Sequence, residues 1–311
     1  MKKIIISAIT SIILLLTACE GAPTSSDTYS ENERPYIHGL ISRINYGEHT
    51  LYLFGSMHAG DSSWYPLPAR VMDAMSRADV FYFEYNLNDR MPPAMFFLPE
   101  DLTLAEYLPT DVYEQFVTNL EYLPFTYEQL YRLSVGHIWL LLRNRAILQS
   151  RVSHNLSIDL YVLGFANRRR IPVRGLTSTH IHASYILSFP KDVELDFLTN
   201  YFNAGRLSDG VREINLLADT YERQDENEIA SFVSLQAPDE NAGPFERYFF
   251  DIIATQRSVN FAQSIAHILT REQEPTTFFV TIGIAHMVGE RDTSVFNVLS
   301  DKGFEIVHLF E

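Results

Sequence analysis

Residues 276–286 read Thr-Thr-Phe-Phe-Val-Thr-Ile-Gly-Ile-Ala-His, and the rest of the chain is organised around them. The first seven are β-branched or aromatic throughout and carry no charge, as a strand buried on both faces does. Gly283 gives the backbone the freedom to turn out of the sheet. His286 then stands just beyond the strand's carboxyl end, where open α/β sheets bind ligands. The same order of strand, glycine, two residues and histidine occurs near the start, where Leu51-Tyr52-Leu53-Phe54 runs into Gly55-Ser56-Met57-His58. A third apolar strand, Val80 to Phe83, ends in Glu84. An acid closing so apolar a run requires a partner, because an unpaired buried carboxylate is costly.

Two histidines and a glutamate at three strand ends make the donor set of a 2-His-1-carboxylate centre, with a position left open for water or substrate. His58, Glu84 and His286 are therefore the candidate ligands of a divalent metal ion. The bland alternative is that these groups only brace the strand ends, since a single Gly-x-x-His is common where loops begin. Two copies at opposite ends of the chain, together with the glutamate, favour a shared site.

Further out, Ile37–Ile44 and Thr50–Phe54 read as a hairpin around the turn-forming Asn45-Tyr46-Gly47-Glu48-His49. Leu67–Arg77 has helical spacing, and Val80–Tyr85 is a short strand. From about residue 100 the signal turns helical, with Pro109 and Pro124 as punctuation and a helix over Asp159–Asn167 that ends in Arg168-Arg169-Arg170. Ile171–Gly175 is a brief strand starting beside Pro172, which places it at a sheet edge or puts the proline at a strand's beginning. Residues 177–273 are again helical and close with the long amphipathic stretch Phe245–Leu269. Thr293–Ser300 reads as a helix and Phe304–Leu309 as the last strand. The expected fold class is α/β: a central mixed sheet formed from the N- and C-terminal segments, with a large helical insertion. The strands ending at Phe54, Phe83 and Ile282 are expected side by side.

Of 311 residues, 24 are basic and 39 acidic, a net charge of −15. So acidic a chain lacks the cations that neutralise phosphates, which argues against nucleic acid as a partner. The single cysteine allows neither an intrachain disulfide nor a thiolate metal site. Residues 1–18 read as a lipoprotein signal peptide: Lys2 and Lys3, then the apolar run 4–16. That run is shorter than the ~20 residues of a spanning helix. It ends in Leu16-Thr17-Ala18-Cys19, which resembles a bacterial lipobox, where Cys19 is acylated. The alternative is an ordinary secretory signal that happens to contain a cysteine. Residues 19–35 are polar, as a flexible tether is, and 36–311 form the domain. The expected location is the bacterial cell envelope, with the domain outside the cytoplasm and Cys19 holding it to the membrane.

Other chemistries lack their motifs. There is no Gly-x-Ser-x-Gly elbow, no His-Glu-x-x-His pair and no Walker-type phosphate loop. His180 and His182 lie about 200° apart on a helix, so at most one of them faces a site.

The segments Leu53-Phe54-Gly55-Ser56-Met57-His58, Phe83-Glu84 and Gly283-Ile284-Ala285-His286-Met287-Val288-Gly289-Glu290 resemble the TraB/GumN family, which includes PrgY and is related to TIKI. The family's Arg-Asn helix is similar to Gln256-Arg257-Ser258 here. Its aspartate-bearing helix before a Leu-Glu-Thr strand end resembles Ile158-Asp159-Leu160 and Gly175-Leu176-Thr177. The chain departs from the pattern at Thr177, where the family usually has glutamate, and at Ser258, where it usually has asparagine. The resemblance spans about residues 36–310 and implies a metallohydrolase fold more firmly than a reaction. TIKI relatives are considered metal-dependent proteases, and PrgY members act on peptide pheromones. A peptide or protein substrate follows as the expectation, with Glu290 as general base or as a partner that orients a ligand, and Arg257 as oxyanion or substrate-carboxylate partner. Gly55, Ser56, Gly283, Gly289 and Asp159 support the site, and His180 or His182 could replace the carboxylate absent at Thr177. A non-catalytic lipoprotein that sequesters a peptide in the same crevice is the competing expectation.

Overall fold

A computed structural model describes residues 40–99, 102–223, 226–234, 237–288 and 293–309. The expected signal peptide, Cys19 and the tether lie outside the described residues, as do Gly289 and Glu290. The strands are β1 (Ile41–Tyr46), β2 (His49–Ser56), β3 (Val80–Tyr85), β4 (Val173–Thr177), β5 (Thr277–Gly283) and β6 (Ile306–His308). The helices that matter most below are α1 (Ala69–Arg77), α2 (Val135–Gln149), α3 (Ile158–Arg169), α4 (Thr179–Leu187), α5 (Arg257–Arg271) and α6 (Val295–Asp301). Among the described residues, no helix is long and apolar enough to cross a membrane.

The strands form one mixed sheet in the order β4-β3-β5-β2-β1-β6. β5 lies parallel between β3 and β2, so the strands ending at Phe83, Ile282 and Phe54 are neighbours. Their register pairs Ser56 with Gly283 and Phe83 with Thr281, which brings the three strand ends level. Nearly every residue of these three strands is buried, the pattern of strands covered on both faces. On one face Phe165 of α3 packs on Phe81, which in turn meets Phe279, with ring centroids 6.0 and 5.2 Å apart.

Several boundaries differ from the sequence reading for identifiable reasons. The hairpin turn contracts to Gly47-Glu48, because Tyr46 pairs with His49 and Gly47 takes φ +58°, the left-handed conformation that a two-residue loop requires. β4 begins after Pro172, which has no N–H for the ladder, and it is an edge strand as its composition indicated. The long helix expected over Phe245–Leu269 has three parts: α-helix from Pro244 to Tyr248, π-helix from Phe249 to Gln256, and α5 onward from Arg257.

The insertion has its own apolar core. Phe116 stacks on Phe202 at 5.0 Å, and Phe245 meets Phe197 at 5.1 Å. Trp139 of α2 packs edge-on against Phe189 and Phe249, 5.8 Å from each. The helical insertion is thereby tied to the π-helical segment whose end delivers Arg257.

Candidate metal centre

Each candidate ligand is set by the strand it leaves. Glu84 is the penultimate residue of β3 and is buried, yet both of its oxygens are held. Oε2 is ion-paired with Arg257, and Oε1 accepts the backbone N–H of Gly283 at 3.0 Å. His58 follows β2, and its Nδ1 lies 2.9 Å from Asp159 Oδ2. Asp159 also accepts Ser56 Oγ at 2.7 Å and Ser157 Oγ at 3.3 Å. His286 follows β5 in the short helix Ile284–Met287. Its Nδ1 lies 2.9 Å from Ser258 Oγ, whose own proton goes to the Ala254 carbonyl at 2.5 Å.

The donor set fits a divalent ion on two grounds. The first is tautomer: Asp159 and Ser258 both accept from Nδ1–H, which leaves the Nε2 lone pair of each imidazole to face inward, as metal-bound histidines are arranged. Both Nε2 atoms lie 3.9 Å from the same oxygen, Glu84 Oε1. Ligand atoms sharing an ion at ~2.0–2.2 Å are separated by at most about 4.4 Å. The second ground is space. A Cβ on Gly283 would sit 3.2 Å from Glu84 Oε1, 3.5 Å from His286 Cδ2 and 3.9 Å from His58 Nε2, so glycine leaves open the volume that the three ligands surround. The trio is nevertheless wider than a closed site, and among the described residues no group of three or more His, Cys, Asp or Glu side chains is drawn in tightly enough to hold an ion as it stands.

The electrostatics keep the carboxylate ionised and two of the three histidines neutral, the protonation states that ligands need. Burial opposes ionisation of Glu84, but Arg257 and the surrounding histidines outweigh it and hold the carboxyl well below its usual range. At His58, whose side chain is half exposed, desolvation is overcome by Asp159 and then Glu84, and the pKa rises. Burial pushes His286 down to about 4 and, with Arg257, His182 down to about 3, so both are neutral near pH 7. These shifts set the acid stability of the chelator-treated protein. His182 and His286 take up protons in the unfolded chain below about pH 6.5 but stay neutral when folded until about 3 and 4, so acidification favours the unfolded state. His137 and His154, also lowered by burial, act in the same sense, while His58 and the carboxyls of Glu194 and Glu213, all raised, oppose them. The urea midpoint is expected to fall between pH 7 and pH 5; an equal or higher midpoint at pH 5 contradicts these assignments.

Other expected site residues are placed as follows. Arg257 is buried and bonds Glu84 and, at 3.1 Å, His182 Nδ1; its guanidinium is thus turned to the carboxylate rather than to the open side. His182 does reach the site, as Arg257's second partner, its ring 4.1 Å from that of Tyr85 and tilted against it, while His180 is exposed. Thr177 donates to the Glu84 carbonyl at 3.0 Å and fastens the end of β4 to β3. Gly55 lets β2 approach the Ile284 turn, since a Cβ there would lie 3.0 Å from Ile284 Cγ1. The sequence reading did not single out the Ala254 carbonyl or Arg143 of α2, whose charge reaches Glu84, His58 and Arg257.

The profile of the TraB/PrgY/gumN family matches residues 40–308, which is most of the chain. The chain belongs to this family. It is similar to Metalloprotease TIKI2 of Xenopus tropicalis, 21% identical over 83% of the chain and 57% of the relative. It is also similar to Metalloprotease TIKI1 of Danio rerio, 22% identical over 83% of the chain and 60% of the relative. The chain thus spans less than two thirds of the length of these curated relatives. No solved structure matches it. The family membership accords with the strand-end segments, and the distant metalloproteases are consistent with a dependence on metal.

Proposed function

We propose that this protein is a metal-dependent hydrolase of peptides, with His58, Glu84 and His286 holding a divalent ion. The observation that carries the reading is the convergence of two histidine Nε2 atoms on one oxygen, Glu84 Oε1, at 3.9 Å each, beside a glycine, Gly283, that adds no side chain between them. The names of the two relatives, both metalloproteases, support the substrate class. A divalent ion held there supplies Lewis-acid activation of water and of a carbonyl.

The chain's own residues do the rest. Asp159 and Ser258 fix the tautomers and ring orientations of His58 and His286. Arg257 keeps Glu84 ionised and oriented through Oε2, which leaves Oε1 toward the open volume. Glu290, four residues beyond His286, is our candidate for the base that takes the proton of attacking water. Lipid attachment at Cys19, which would confine the activity to the envelope, is part of the same proposal and rests on the sequence 16–19.

The test is to incubate a mixed peptide digest with the metal-loaded chain and follow new termini by mass spectrometry. New termini that disappear with chelator and return on adding the ion are expected. Peptides retained by the loaded protein but never cut would contradict the hydrolase and favour a sequestering protein.

A further inference from the structure

The positive charges of the site exceed what its own chemistry uses. Glu84 and Asp159 are each engaged, the first by Arg257 and the second by His58. Arg143 adds a further cation close enough for its charge to act on Glu84, His58, Arg257 and His154. It is solvent-exposed, and among the described residues it has no ion-pair partner; its contact is with the Trp139 ring, 5.8 Å from Cζ.

Two short chains of contact fix where Arg143 stands. Asn144, the next residue of α2, meets His154 Nε2 at 3.1 Å, and His154 Nδ1 lies 3.2 Å from the carbonyl of His58. One turn earlier, Trp139 packs on Phe249, at the start of the π-helical segment that ends where Arg257 begins. Arg143 thus stands on α2 between a residue tied to the His58 backbone and one packed on the segment that leads to Arg257, and among the described residues its guanidinium has no acidic partner and meets the Trp139 ring. Arg257 cannot receive substrate while it bonds Glu84 and His182. A planar guanidinium with no acid of its own matches a carboxylate, which it binds through two parallel hydrogen bonds.

We propose that Arg143 is a substrate-anchoring residue and that the site takes peptides bearing a free carboxylate near the bond that is cut. This inference rests on the peptide-hydrolase reading. The carboxylate comes either from the peptide's C-terminus or from an Asp or Glu side chain, and the probes separate the two.

Fluorescein-labelled heptapeptides of one sequence are made in four versions: free acid or amide at the C-terminus, each with Glu or Gln at the residue before last. Their binding to the full chain, purified without chelator, is read by fluorescence anisotropy. At least a tenfold preference for one carboxylate-bearing version is expected, with the preferred version naming the source. Arg143→Ala should abolish the preference and Arg143→Lys should retain part of it, with melting temperatures unchanged because the side chain is exposed. Equal binding of all four versions, no binding of any, or a preference that survives Arg143→Ala overturns the proposal. The outcomes separate from those of the parent reading. A carboxylate preference without any cleavage overturns the hydrolase and leaves the anchor standing; cleavage without preference does the reverse.

Discussion

Replacing Glu84 with glutamine lowers the unfolding free energy by about 3–5 kcal/mol, the usual cost of removing one partner from a buried ion pair. The sequence indicated that an acid closing so apolar a strand needs a partner, and the structure supplies it. The structure places the charge of Arg257 against Glu84 with both side chains buried, and glutamine leaves that guanidinium without its counter-ion. His182 cannot compensate, because burial and Arg257 keep it neutral. The variant therefore loses metal and melts early, whereas His58→Ala, at a half-exposed position, loses metal and keeps most of its stability. Thermal or urea unfolding of the two variants checks this, and a Glu84→Gln protein as stable as wild type contradicts the ion-pair account.

The legible part of this molecule was the local part. The two Gly-x-x-His segments and the strand ending in Glu84 are short stretches whose composition fixes both strand and exit, and the parallel register then aligns them. Asp159 and Ser258 were found through family resemblance rather than through any pattern of their own. What stayed hidden depends on packing over long sequence distances. The π-helical register of Phe249–Gln256 spans only eight residues, too few for its wider turn to stand out as a separate period in a hydrophobic pattern. His182 lies 75 residues from Arg257 in sequence, and nothing local marks the contact. Arg143 reads as one more solvated charge on a helix until the insertion folds back and His154 ties the next residue to His58.

Gly283→Ala is expected to abolish metal retention and activity while leaving the fold in place. The new methyl group enters the volume bounded by Glu84, His286 and His58, 3.2 Å from Glu84 Oε1. That oxygen cannot retreat freely, because Arg257 holds the other end of the carboxylate and the Gly283 N–H holds this one. The substitution alters neither a charge nor a hydrogen-bonding group, so a drop of at least a hundredfold in metal affinity with a melting temperature within a few degrees of wild type marks occlusion of the site. A Gly283→Ala protein that keeps its metal would mean the ion lies elsewhere.

Metal content by mass spectrometry, measured per chain on purified wild type and on His58→Ala and His286→Ala, tests the shared centre most directly. The account predicts one divalent ion per wild-type chain and a loss of that ion in each variant, with both variants still folded. A metal-free wild type after incubation with zinc, manganese or cobalt, or unchanged stoichiometry in both variants, would contradict it.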